Sequence, residues 1–424
     1  MLSFVEFQLS DRLVEDDKFE SDERIYASRV DLIARVHGVK MAEAYIEMIP
    51  DSYRGGLVYQ NLLAHCSRFN KVKKAEEVFQ KMRDLGFPVT LFSCNHLLFL
   101  YKRRDKKKIP DVLQLMEKEN VKPSARTYKV LMGIRSPFTD YKRAEEILEF
   151  MKSDGIQPDI QARFIMARQY LDAGLKDKAE ALLKEMEGNN LEENRWVCHN
   201  LLSLYGQLEK ADEVERIWNI CKTDPHLYEG MAAITAWGKL KKVEKAEAVF
   251  DWLLKRLKKP SHKIYTKLLT VYVDNKQLAK GENLVKRMTE GDLRTGPLDW
   301  HSLVRLYLDA GEVEKADHMF MKFSRQRSMM RPLFNSYMDI MKEYAKRGDI
   351  RNSEKMFLRI KQAGFSVRSF QFEHLINAYI NAKKPAYGIW ERLKAENLSP
   401  SPVLNERLRQ VDPFRTTPAS YLLD

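Results

Sequence analysis

Apolar positions along the chain follow one pattern again and again. An aromatic or a cysteine stands three residues before a pair of large apolar residues: Tyr59 before Leu62-Leu63, Cys94 before Leu97-Leu98, Tyr128 before Leu131-Met132. Cys198 before Leu201-Leu202, Tyr265 before Leu268-Leu269 and Trp300 before Leu303-Val304 continue it. Four residues after the first member of the pair an aromatic often returns, as at Tyr101, Tyr170, Tyr205, Trp237, Tyr272, Tyr307, Tyr344 and Tyr379. A small residue follows (Ala75, Ala144, Ala179, Ala246, Gly281, Ala316, Ser353), and then a methionine (Met82, Met116, Met151, Met186, Met288). Equivalent points are about 35 residues apart, a period that marks stacked repeats.

Each period predicts two amphipathic helices. Aromatic, Leu and returning aromatic fall at i, i+3 and i+7, one helical face. A turn follows, with Gly at 174, 311 and 348, where a positive φ ends a helix. In the second helix Ala179, Leu182, Leu183 and Met186 share a face, and the small residue lets two helix axes come close. Pro-Asp or a substitute closes the unit, since Pro cannot continue the helix. No such pair buries its apolar face alone, whereas stacked pairs do. The expected fold is all-α, a right-handed superhelical solenoid of about ten units over 23–368, with a worn eleventh over 369–401. Residues 1–22 are expected to form an N-terminal helix or cap, and 402–424, with Pro413 and Pro418, an extended tail or cap. Nothing in the composition marks a linker that would split the array.

Met151 to Ile160 reads M-K-S-D-G-I-Q-P-D-I, Met116 to Ser124 reads M-E-K-E-N-V-K-P-S, and Ala75 to Phe87 reads A-E-E-V-F-Q-K-M-R-D-L-G-F. These resemble the pentatricopeptide repeat signature in its plain 35-residue form, and the resemblance covers nearly the whole chain. The segments Tyr26 to His37, Ala236 to Phe250 and Val411 to Phe414 resemble plant mitochondrial members of that family, including ribosome-associated ones. The resemblance implies a non-catalytic RNA-binding protein of a plant organelle, the mitochondrion before the chloroplast, acting in post-transcriptional expression. Met1 to Leu13 carries Glu6 and Asp11 and does not read as a basic, acid-poor targeting peptide, so the location rests on resemblance.

In the family, the fifth and last residues of a unit read one base together. The resemblance places those pairs at Asn95 with Ser124, Lys129 with Asp159 and Phe164 with Asn194, among others. Only Asn95 with Ser124 has a familiar composition. Lys129, Phe164, Met231 and Met338 do not, which weakens base-by-base reading and leaves open that the row merely faces the groove or a neighbouring unit. A helical-repeat RNA reader also needs cations for phosphates. Arg68, Arg103, Lys239 and Lys346 occupy the thirteenth place of their units, and Arg103 lies in a run with Lys102, Arg104, Lys106, Lys107 and Lys108. These are candidate phosphate contacts, or else solvated turns. Two further basic clusters are Lys255, Arg256, Lys258 and Lys259, and Arg325, Arg327 and Arg331.

Composition narrows the rest. The 424 residues include only 18 Gly and 15 Pro, which excludes collagen-like and low-complexity chains. A hydrophobic share of 44% supports a packed core. The net charge of +12 permits a polyanionic partner, although acids gather at Asp11, Glu15, Asp16, Asp17, Glu20, Asp22 and Glu23. Cys66, Cys94, Cys198 and Cys221 have neither the density of a disulfide framework nor zinc-site spacing, and read as reduced thiols. No apolar run reaches the length of a membrane span. The motifs of deaminases, P-loop enzymes, serine hydrolases and zinc proteases are absent, so neither an enzyme nor a cofactor is expected. The expected partner is RNA, with rRNA favoured over mRNA and ribosomal proteins alongside; a protein–protein scaffold is the alternative from another class.

Overall fold

The computed structural model describes residues 22–134, 141–188, 191, 195–224, 226–257, 261–290, 293, 295–326 and 333–411. Among the described residues there are twenty-three α-helices, three short 3-10 turns and no strand. The chain divides into two compact units, Met1–Gly188 and Asn189–Asp424, a division that composition does not mark.

The first unit holds five helix pairs: α1 (Glu23–Val36) with α2 (Val39–Met48), α3 (Gly56–Arg68) with α4 (Val72–Asp84), α5 (Leu91–Arg104) with α6 (Ile109–Lys118), α7 (Ala125–Met132) with α8 (Tyr141–Ser153), and α9 (Ile160–Asp172) with α10 (Lys176–Glu187). The second holds six: α11 (Cys198–Gln207) with α12 (Ala211–Cys221), α13 (Leu227–Lys239) with α14 (Val243–Arg256), α15 (His262–Asp274) with α16 (Leu278–Glu290), α17 (Pro297–Asp309) with α18 (Val313–Gln326), α19 (Phe334–Lys346) with α20 (Ile350–Gln362), and α21 (Ser369–Asn381) with α22 (Ile389–Ala395). A last helix, α23 (Pro402–Val411), closes the second unit. It buries Leu404, Leu408 and Val411 against α21, so residues 402–411 are a packed helix rather than an extended tail.

Within each unit every first helix packs on the next first helix, and each second helix from α2 to α20 packs beside its own first helix. The sequence pattern explains this. The leucine pairs of the first helices are buried, and so are Ala75, Ala144, Ala179, Ala246, Ala316 and Ser353 at the start of the second helices. Met82, Met116, Met151, Met186 and Met288 fill the space one or two turns later. Gly206 shows how close the approach becomes: a Cβ there would lie 2.7 Å from the Cα of Ala236.

The returning tyrosines tie one pair to the next. The Tyr101 hydroxyl donates to Glu76 at 2.9 Å, Tyr170 to Glu145 at 2.7 Å, Tyr272 to Glu247 at 2.8 Å and Tyr379 to Glu354 at 2.9 Å. In each case the tyrosine follows its glutamate by 25 residues, so a first helix grips the second helix of the preceding pair. A cation from the following second helix or its 3-10 turn completes each clamp: Lys108 on Glu76 at 2.6 Å, Lys178 on Glu145 at 3.0 Å, Lys280 on Glu247 at 2.9 Å and Arg392 on Glu354 at 2.8 Å.

Candidate nucleic-acid interface

A first helix has neighbours on both sides and a second helix behind it, which leaves one face open. The side chains on that face repeat every three or four residues, as helical geometry requires. On α3 they are Leu57, Gln60, Ala64 and Arg68; on α5, Phe92, His96, Phe99 and Arg103; on α7, Arg126 and Lys129; on α9, Gln161, Phe164, Arg168 and Asp172. In the second unit the same face carries Lys239 on α13, Lys263 and Thr270 on α15, Arg305 and Asp309 on α17, and Lys342 and Lys346 on α19.

The first unit holds a hollow of about 370 Å³ on this face, lined by Asp31, Ala64, His65, Ser67, Arg68, His96, Phe99, Arg103 and Arg126. Four first helices contribute and no second helix does. Among the described residues none of Arg68, Arg103 and Arg126 is paired with a carboxylate. Arg103 lies over the Phe99 ring, 5.5 Å from its centre, a cation–π arrangement. Phe99 and Phe92 are 38% and 39% exposed, so both present flat apolar surface on this face. Burial, with Arg126 and His65 nearby, pushes His96 down to about 4, so its ring is neutral at physiological pH. Asp31 is the one acid in the hollow, and it is engaged: His65 Nε2 lies 2.6 Å from one oxygen and Arg35 pairs with the other.

The fifth-place row looks different. Asn95 is 5% exposed, and its amide oxygen accepts from the Thr127 hydroxyl at 2.8 Å. Ser124 caps α7, and its partner across the cap is again Thr127. Lys129 is paired with Asp159 at 2.5 Å and donates to Gln161 at 3.1 Å. In the second unit Thr266 donates to the buried Asp299 at 2.7 Å, and His301 Nδ1 lies 3.1 Å from Ser336 Oγ. In each case a fifth-place side chain bonds to the cap or first turn of the next first helix. These four side chains spend their hydrogen-bonding groups between units. Phe164 is half-buried, and Asn194 lies outside the described residues.

The basic run also separates. Lys108 belongs to the Tyr101–Glu76 clamp, and its ammonium also lies 5.7 Å from the centre of the Tyr101 ring; its role is repeat-to-repeat packing. Lys102 is half-buried, and burial lowers its affinity for a proton. Arg104, Lys106 and Lys107 remain exposed on the turn between α5 and α6. Lys346 pairs with Glu343 at 2.5 Å. Of the other clusters, Lys255 and Arg256 end α14, with Arg256 donating to the Thr223 carbonyl at 3.0 Å. Lys258, Lys259, Arg327 and Arg331 fall outside the described residues, and nothing is assigned to the Arg325 side chain.

Among the described residues no group of His, Cys, Asp and Glu side chains could hold a metal ion. Cys66 and Cys94 are buried thiols, each pushed up to about 11 chiefly by burial. No helix in the described residues is long and apolar enough to cross a membrane.

Comparison with known proteins agrees with the repeat. The pentatricopeptide repeat domain model matches residues 77–136, and the repeat model matches 57–87 and 165–191. Two Arabidopsis thaliana proteins, each named as a mitochondrial pentatricopeptide repeat-containing protein, are 50% and 49% identical to this chain over 417 residues. Each alignment spans 98% of this chain and 70% of the relative. The chain belongs to the pentatricopeptide repeat family. The maize pentatricopeptide repeat protein PPR10 has the same fold by structural comparison, at a TM-score of 0.50 and 16% identity; the match covers 92% of this chain and 61% of that one.

On the open face of this pentatricopeptide repeat protein, hydrogen-bonded fifth places and exposed cations occupy different positions. The fifth places Asn95, Lys129, Thr266 and His301 are tied down, while cations stand at other places on the same face. Arg126 and Lys263 are second in their units, and Arg168, Arg305 and Lys342 are ninth. The thirteenth-place pattern picked out Arg68 and Arg103 but not these. The missing signal was available, since the ninth place lies one helical turn before the thirteenth on the same face.

Proposed function

We propose that this chain is a non-catalytic RNA-binding protein of the plant mitochondrion that holds RNA by phosphate and shape contacts, as a component associated with the mitochondrial ribosome. One observation carries the mode of binding: the fifth-place side chains of Asn95, Lys129, Thr266 and His301 bond between units, while arginines and lysines at other places of the same face stay exposed. Cations without an outward-facing row of hydrogen-bonding groups suit the recognition of folded RNA, which is held through phosphates and shape. The mitochondrial setting is supported by the names of the relatives. In this reading Arg68, Arg103, Arg126, Arg104, Lys106 and Lys107 contact phosphates in the first unit, and Lys239, Lys263, Arg305 and Lys342 do so in the second. The partners are rRNA and neighbouring ribosomal proteins.

Sedimentation of a mitochondrial lysate tests the setting. The protein should travel with a ribosomal subunit and move to the top of the gradient after RNase treatment. Co-sedimentation with messenger RNA alone would make it a free transcript-binding factor, and a position insensitive to RNase would favour a protein scaffold.

A further inference from the structure

We propose that the hollow across α3 and α5 takes the base of one nucleotide turned out of the bound RNA. The inference rests on the RNA-binding reading above and adds a second kind of contact to it. The volume of about 370 Å³ lies at the low end of the roughly 300–1,000 Å³ range of small-ligand sites, enough for one base. Flat groups line it: the Phe99 ring, the neutral His96 ring and the Arg103 guanidinium over Phe99. Every base has a π-face that stacks on such groups whatever its identity. Behind these groups lies one buried histidine. His65 is 3% exposed, its Nε2 is engaged by Asp31, and its Nδ1 has no hydrogen-bond partner. Arg68, Arg103 and Arg126 supply positive charge for the phosphates on either side of the extruded unit. The pocket is separate from the Asn95 and Ser124 pair, whose polar groups are committed to Thr127.

The test compares binding of the full chain to a single-stranded RNA and to an abasic ribose-phosphate strand of equal length, by fluorescence anisotropy at low salt. The wild-type protein should favour the strand with bases. In Phe99→Ala that preference should shrink by about tenfold, the loss of one stacked base, and Phe99→Trp should restore it. Phe99 is partly exposed, so its truncation leaves the core intact. An unchanged preference in Phe99→Ala, or none in the wild-type protein, overturns the pocket. Salt-sensitive binding to both strands would then leave the phosphate reading standing. If the wild-type protein binds neither strand, both proposals fall.

Discussion

At the scale of single residues, the turn after each first helix shows what the sequence displayed and what it hid. Gly174, Gly311 and Gly348 mark it plainly, and all three have positive φ. The same backbone position is filled by Asn70, Glu209, Lys241, Lys276 and Lys383, with φ between 53° and 63°. No sequence rule flags a lysine there, because its conformation is imposed by the packed helices on either side. A left-handed residue with a Cβ costs about 1–2 kcal/mol, and Gly recovers part of that against its own greater freedom in the unfolded chain. Lys276→Gly should therefore stabilise the protein by about 0.5 kcal/mol, seen as a higher urea midpoint. Gly206→Ala should do the reverse. Its Cβ meets the Ala236 backbone, so the α11–α13 approach must open, at roughly 1–3 kcal/mol. The site residues divide in the same way. The exposed positions of Arg68 and Arg103 on the open face were legible from place in the repeat. The burial of Asn95 was not, because it depends on a hydroxyl at Thr127, in the next unit.

At the scale of elements, helix pairing was legible almost throughout, because a 3.6-residue apolar period survives irregular unit lengths. The clamp between pairs was half legible. Tyr101, Tyr170, Tyr272 and Tyr379 stood out as periodic aromatics, but their glutamates lie on the preceding pair, and surface Glu residues are too common to single out. Removing one hydroxyl leaves the ring packed and the carboxylate held by its cation. Tyr170→Phe or Tyr272→Phe should cost about 0.5–1.5 kcal/mol, read from denaturant midpoints. The clamps also set a pH dependence. Hydrogen bonds from Tyr170 and then Lys178 hold Glu145 below the usual carboxylate range, and Lys108 and Tyr101 do the same for Glu76 against the opposing effect of burial. A carboxylate lowered by folding stabilises fully above its unfolded value, near 4.3 for Glu, and that stabilisation is lost as pH falls through the folded value. Stability should drop as the pH is taken below about 4.3, and Glu145→Gln should flatten that drop. An identical acid dependence in the variant would remove Glu145 from the account.

At the scale of the whole molecule, the net charge of +12 acquires a distribution. Much of the positive charge is spent on pairs between helices, as at Lys74 with Glu43, Lys81 with Glu47 and Lys245 with Glu215. What remains for a polyanion includes the open face of the first helices, densest around the hollow in the first unit. The central claim is that the cations of this face, rather than its fifth-place row, bind RNA. It is tested most directly by the salt dependence of RNA affinity for the wild-type protein and for the triple substitution Arg68→Gln, Arg103→Gln and Arg126→Gln. Each lost phosphate contact lowers the slope of log K against log salt by about 0.7 for a single strand. The account predicts a slope shallower by about 2 in the triple variant, with little change in preference among base sequences. An unchanged slope, or a binding strength set mainly by RNA sequence, would contradict it.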